Sequence, residues 1–332
     1  VKRWLPWLAA AAAGLALALV WADYLRTVDA PLGNRETVYF EIAKGQSLSS
    51  IAEALRQRGL TDRPLWFRVL AWAEKSQARL KYGEYEIRPQ TTPRALLALF
   101  VSGKVRHYSL TFVEGWNFRQ MAEAMNRQAG LVHSTEGKSP REVMAMIDAP
   151  GEDAEGRFFP DTYFFARGTE DLDLLRRAYR KMQAVLADEW QGRAQGLALR
   201  SPYEALTLAS IVEKETGLAE ERPRIAGVFH RRLAKGMLLQ TDPTVIYGMG
   251  EAYAGNIRAE DLRRDTPYNT YVRPGLPPAP ISMPGLGALH ATLHPDASDA
   301  LYFVARGDGG HVFSKTLAEH NQAVDQYQKN RQ

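Results

Sequence analysis

Cysteine is absent from the 332 residues, so disulfides, thiolate metal centres and a lipid anchor on cysteine are all excluded. No block of lysine and arginine forms a stripe of the kind that grips phosphate backbones. The formal net charge is only +4, acids and bases alternate along the chain, and nucleic acid is not an expected partner. An anionic polymer or a membrane surface remains compatible with this mild basicity. The His-Glu-x-x-His pattern of zinc hydrolases is missing as well. His290 and His294 have i, i+4 ligand spacing, but Pro295 interrupts a helix there and no third ligand is evident in the sequence. Neither a metal nor a cofactor is therefore expected. A hydrophobic content of 45% with 24% charge excludes wholesale disorder, and the length suffices for two or three domains.

Long apolar runs are also scarce, and the single exception is informative. Residues 4–22 carry no charge and are rich in Ala and Leu; Lys2 and Arg3 precede them and Asp23 follows. At a rise of ~1.5 Å per residue the run just crosses a ~30 Å hydrocarbon layer. Positive charge ahead of it predicts residues 1–3 in the cytoplasm, 4–22 as a transmembrane anchor and the remainder exported. Trp4, Trp7, Trp21 and Tyr24 stand where aromatic rings favour the interface. Ala16-Leu17-Ala18 has the form of a signal-peptidase site, yet it falls inside the run, which favours an uncleaved anchor. Residues 23–37 are polar, with Pro31 and Gly33, and read as a linker.

Beyond it lie small strand-turn-helix units. Val38–Ile42 reads as a strand, Lys44–Ser47 as a turn and Leu48–Arg58 as a helix capped by Ser47. A similar unit recurs about seventy residues later, as strand 110–113, turn 114–117 and helix 118–128. Gly45 matches Gly115, and Ala52-Glu53-Ala54 matches Ala122-Glu123-Ala124. A third copy lies between them, with strand Tyr85–Ile87, turn 89–92 and a helix from Pro93.

The later part carries the chemistry. Pro202 opens a helix expected to run through Glu213-Lys214-Glu215-Thr216 and on to Glu220. Leu208, Ile211 and Val212 lie one and two turns before Glu215 on its own side. A carboxyl group on such a surface is poorly solvated when ionised, so its pKa should rise toward that of a general acid. Glu213 points nearly the other way. After Gly236, Gln240 and Asp242 alternate with apolar neighbours in an expected extended segment that turns both to one side. Tyr268–Tyr271, His311 and His320-Asn321 add polar and aromatic groups on loops, which suits a sugar cleft. Leu301–Ala305 reads as a buried strand.

Two resemblances emerge from these residues. The first unit resembles a LysM module on Ile42, Gly45, Gln46-Ser47, Leu48 and Ile51-Ala52; such modules bind N-acetylglucosamine-containing glycans, which implies peptidoglycan affinity for residues 38–105. Nearly the whole chain resembles the YceG-like endolytic murein transglycosylases, most specifically in Glu213-Lys214-Glu215-Thr216 and in Gln240-Thr241-Asp242-Pro243-Thr244-Val245-Ile246-Tyr247-Gly248. That resemblance implies an α+β fold with a mixed α/β catalytic domain over residues 106–332. It implies a site in the periplasm, tethered to the inner membrane, with Glu215 as catalytic acid. Glu213, Gln240, Asp242, Tyr247, Asn269, Tyr271, Glu155, Asp161, His311 and Asn321 would support or bind substrate. Peptidoglycan strands and membrane-bound peptidoglycan synthases are the implied partners. A muramidase-type hydrolase would need a second carboxylate, from Asp242 or Asp161. A glycan-binding protein without turnover is the third reading.

Overall fold

The computed structural model describes residues 4–328. Lys2 and Arg3, on which the expected membrane orientation rests, lie outside them. The chain divides into two compact units. The first gathers residues up to Tyr108 with Gly130–Val132 and Phe164–Thr169; the second gathers Ser109–Ala129, His133–Tyr163 and the chain from Glu170 onward. The strands form small two-stranded sheets among the described residues, giving the mixed α and β architecture expected.

The first unit comprises α1 (Leu5–Asp29), β1 (Val38–Ile42), α2 (Leu48–Gln57), α3 (Pro64–Ala73), β2 (Gly83–Ile87) and α4 (Pro93–Ser102). β1 and β2 pair antiparallel, Val38 opposite Ile87 and Ile42 opposite Gly83. Alternation turns Phe40 and Ile42 inward, where Ile51, Leu55, Leu70, Tyr85, Leu96 and Phe100 close the core around them.

Residues 7–29 of α1 form a helix long and apolar enough to cross a membrane. The helix does not give way to a linker at Asp23, as the polar composition had suggested. It continues to Asp29 because its last turns are amphipathic. Tyr24 and Val28, four residues apart, enter the core, followed by Leu32. On the wet side Asp23 accepts hydrogen bonds from Arg63 and from Trp66 Nε1, and Asp29 pairs with Arg94 at 2.9 Å.

The chain continues through β3 (His107–Thr111), α5 (Phe118–Asn126), β4 (Leu131–Val132), α6 (Pro140–Met146), β5 (Thr162–Ala166), β6 (Thr169–Glu170) and α7 (Asp171–Gln191). It ends with α8 (Pro202–Glu215), α9 (Arg222–Ala234), α10 (Asp242–Met249), α11 (Ala259–Arg263), α12 (Leu286–Leu293), β7 (Tyr302–Ala305), β8 (His311–Ser314) and α13 (Leu317–Tyr327). The repeat seen in the sequence has a backbone cause. α2, α4 and α5 are N-capped by Ser47, Thr92 and Asn117, and two residues before each cap the chain turns through positive φ, at Gly45 (80°), Gln90 (68°) and Gly115 (77°). Glycine adopts this conformation freely; Gln90 does so at an expense of ~1 kcal/mol.

In the second unit α7, α9 and α12 pack on α8. Ala205 through Val212 are all buried, and Leu206, Leu208, Ile211 and Val212 meet Met182, Phe229, Leu289 and Leu293.

Candidate active site

α8 starts at Ser201, whose side chain accepts the Glu204 N–H, and Pro202 fits its first turn. Because this helix is buried on every side, the apolar stripe read in the sequence does not by itself separate Glu213 from Glu215. Burial raises both carboxyls above the ordinary range. What separates them is what each faces. Glu213 accepts hydrogen bonds from the Gly285 N–H (2.8 Å) and the Arg222 guanidinium (3.2 Å), so it clasps the end of α8 to the start of α12. It does not reach the cleft that Glu215 faces.

Glu215 is the last residue of α8. The helix stops there rather than at Glu220, since Thr216 is extended (φ −145°, ψ 139°). A carboxylate at this end meets the negative pole of the helix, which also disfavours its ionisation. Burial pushes its pKa from 4.5 up to about 7; the hydroxyl of Thr241, which donates to Oε1, opposes the rise, the Asp242 charge adds to it, and Arg232 opposes it. The carboxyl opens on a cleft of about 430 Å³, lined by Arg232, Gln240, Asp242, Tyr271, Tyr302, His311 and His320, with Leu239, Phe303, Leu317 and Val324 as apolar wall.

The antiparallel β7–β8 hairpin makes one wall, with Ala305 opposite His311. The expected buried strand is only part-buried, for Tyr302 and Phe303 turn toward the cleft. Tyr302 stacks with His320 (rings 5.3 Å apart, 25° between planes), and the Arg232 guanidinium lies 5.1 Å from its ring centre. Arg232 also donates to the carbonyls of Leu301 (2.7 Å), Leu238 (3.1 Å) and Leu239 (2.9 Å). His311 is fixed by Glu221, through its backbone N–H (2.8 Å) and Nδ1 (2.7 Å).

The Gln240–Asp242 segment is less extended than expected. Gln240 takes φ +50°, and Asp242 is already the first residue of α10. Both nonetheless line the cleft. The segment is held by Thr270, whose carbonyl accepts the Gln240 N–H (3.1 Å) and whose hydroxyl accepts the Thr241 N–H (3.2 Å). Tyr271 donates its hydroxyl to Asp242 Oδ1 at 2.5 Å.

Five of the residues the family resemblance implies thus converge on one cleft, Glu215, Gln240, Asp242, Tyr271 and His311, and His320, named from its polar and aromatic surroundings, joins them. The others do not line it. Asn269 is 1% exposed and spends its amide on the carbonyls of Asp261, Leu262 and Arg264, while its Oδ1 accepts the Tyr271 N–H. Through that bond it holds the backbone of Tyr271, which does line the cleft. Tyr247 donates to Glu155 (3.0 Å), which also accepts the Phe118 N–H; the pair forms a closed clasp. Asp161 pairs with Lys181 on the surface. Asn321 is exposed on α13, off the face formed by Leu317, His320, Val324 and Gln328. That spacing of three and four was a legible signal for His320. Arg232 and Tyr302, which line the cleft, and the buried Thr241, which bonds to Glu215 from behind it, were missed; nothing in a helix stripe, a short strand or a helix cap marks them.

Small α and β units, with one raised glutamic acid in an open, ring-walled cleft, define the class. The chain belongs to the YceG-like family, whose model matches residues 40–326. It is similar to an endolytic murein transglycosylase of Bacillus subtilis (strain 168), at 30% identity over 89% of this chain and 86% of the relative. It is 28% identical, over 92% of its own length and 60% of the relative's, to an endolytic murein transglycosylase of Streptococcus pneumoniae serotype 2 (strain D39 / NCTC 7466). A crystal structure of a putative YceG-like protein from Listeria monocytogenes matches 87% of this chain and 99% of its own, with 32% identity and a TM-score of 0.57.

Proposed function

We propose that this protein is an endolytic lytic transglycosylase of peptidoglycan, a carbon–oxygen lyase that uses Glu215 as its acid and base. The observation that carries the reading is Glu215, a carboxyl that burial raises to about 7, at a cleft with rings and polar groups on its walls. Protonated Glu215 donates to the glycosidic oxygen between N-acetylmuramic acid and N-acetylglucosamine, and the β-1,4 bond breaks with oxocarbenium character at C1. The muramoyl 6-hydroxyl attacks C1, and its proton returns to Glu215. The product is a 1,6-anhydromuramoyl end, and no water is consumed. Intramolecular attack benefits from proximity and needs no second carboxylate. Asp242, held by Tyr271, would stabilise developing positive charge; Gln240 and His311 would hold sugar hydroxyls and N-acetyl groups.

In the same reading α1 anchors the chain in the inner membrane with its bulk in the periplasm. The first unit adds glycan affinity in the manner of a LysM module. Placed beside membrane-bound synthases, such an enzyme would cut nascent strands and so end their polymerisation. The test is mass spectrometry of peptidoglycan incubated with wild type and with Glu215→Gln. Anhydromuramoyl ends from wild type alone are expected. Reducing ends would instead assign hydrolysis, with Asp242 as the second carboxylate, since Asp161 stands outside the cleft. Glycan binding without products would leave a binding protein.

A further inference from the structure

The two histidines set aside in the sequence acquire a third neighbour in the fold. Glu189 in the last turn of α7 lies against the end of α12, where its Oε2 is 2.9 Å from His290 Nδ1. The rings of His290 and His294 are 4.3 Å apart, and one ligand atom from each of Glu189, His290 and His294 lies within 4.8 Å of the others. Pro295 does not separate the pair. α12 ends at Leu293, but the His294 N–H still donates to the His290 carbonyl at 2.8 Å, so His294 stays one turn beyond His290. A proline after that turn ends the helix without disturbing it.

We propose that Glu189, His290 and His294 form a binding site for a divalent zinc-type ion, with the remaining coordination positions open to water. Two imidazoles and one carboxylate suit zinc and its first-row neighbours, and not magnesium or calcium, which take oxygen ligands. Ligand bonds of ~2.0–2.2 Å require donor atoms ~3.3 Å apart around a tetrahedral ion, a closure that side-chain rotation supplies. The Glu189–His290 hydrogen bond already holds two of the donors together. The Glu189 side chain is 19% exposed and that of His290 60%, so one ligand comes from the packed side and one from solvent. None of the three lines the Glu215 cleft. The ion is therefore a clamp between α7 and α12, both of which pack on α8, and the proposal stands apart from the glycan chemistry.

The test is calorimetric titration of zinc chloride into the tag-free, chelator-stripped full chain near neutral pH, with melting temperature followed in parallel. One ion per chain and a melting point that rises with zinc are expected. His290→Ala and His294→Ala should each weaken binding by at least about tenfold, or ~1.4 kcal/mol. His290 is exposed enough that its replacement should leave the fold intact; an unchanged melting point without zinc checks this. Cobalt should replace zinc with a visible absorption band that both variants lose. Absence of saturable binding in wild type, unchanged affinity in the double variant, or equal affinity for magnesium would each overturn the site.

Discussion

Burial holds two carboxyls of the second unit, Glu215 and Glu155, at a pKa of about 7, yet the regions around them are opposites. Around Glu155 every approach is taken: Phe118 N–H, Tyr247 hydroxyl and Gly156 N–H bond to the carboxyl, and the residue is 6% exposed. Around Glu215 one hydroxyl, that of Thr241, is engaged, and the rest faces a cleft. A raised pKa reports poor solvation. A working acid needs in addition an unspent proton and a way in, and only Glu215 has both.

The largest expected effect breaks the comparison at its centre. Glu215→Gln should lower turnover on the order of 10³-fold, as removal of a general acid does, while Glu155→Gln should leave the turnover of folded protein close to wild type. Anhydro-end release measured on both variants checks this; equal losses would erase the distinction.

Stability should then move in opposite directions. A glutamine in place of Glu155 turns an N–H₂ toward donors, and the bonds lost outweigh the ionisation cost removed, so the unfolding free energy from denaturant titration should fall by about 1–3 kcal/mol. Both carboxyls carry the linkage of a raised pKa, but Glu215 accepts a single hydroxyl and so has few bonds to lose. Its folded pKa is raised, so the folded state holds its proton more tightly than the unfolded one, and stability is lost as pH rises from 4.5 through about 7. Glu215→Gln removes that loss and should stabilise the protein above pH ~7, on the order of 1–2 kcal/mol after solvent screening, with little change at acid pH. Melting curves at both pH values decide it.

The smallest effects concern tuning. Thr241→Val removes a hydrogen bond that favours the carboxylate, so the alkaline fall in turnover, centred near pH ~7, should move upward. Asp242→Asn removes a negative neighbour and should move it down. Each shift should be below about one unit, and a pH–rate profile that stays fixed in both variants would disconnect Glu215 from the titration.

The turns, caps and helices of the strand-turn-helix units and the amphipathic helices α7 and α9 were legible because spacing and caps are local, whereas the strand expected at 110–113 lies earlier, at His107–Thr111. Glu215 was legible through its motif more than through its stripe, because a helix buried all round offers no preferred side. The division of labour around it was not readable. Asn269 and Tyr271 are near neighbours in sequence, yet one is consumed by three carbonyls and the other meets Asp242. Only the return of the chain decides which side chains remain free. The same holds for Glu189, about a hundred positions from the histidines it joins.

The unbroken run of α1 into the first unit has a mechanical consequence. Val28 is fully buried in that unit, with no pliant segment before it. The unit is thus splined to its shaft rather than hung from a cord. In a straight helix one inserted residue rotates the chain beyond it by ~100° and advances it ~1.5 Å. The phase of that helix therefore fixes the bearing and standoff of the first unit above whatever surface grips the shaft.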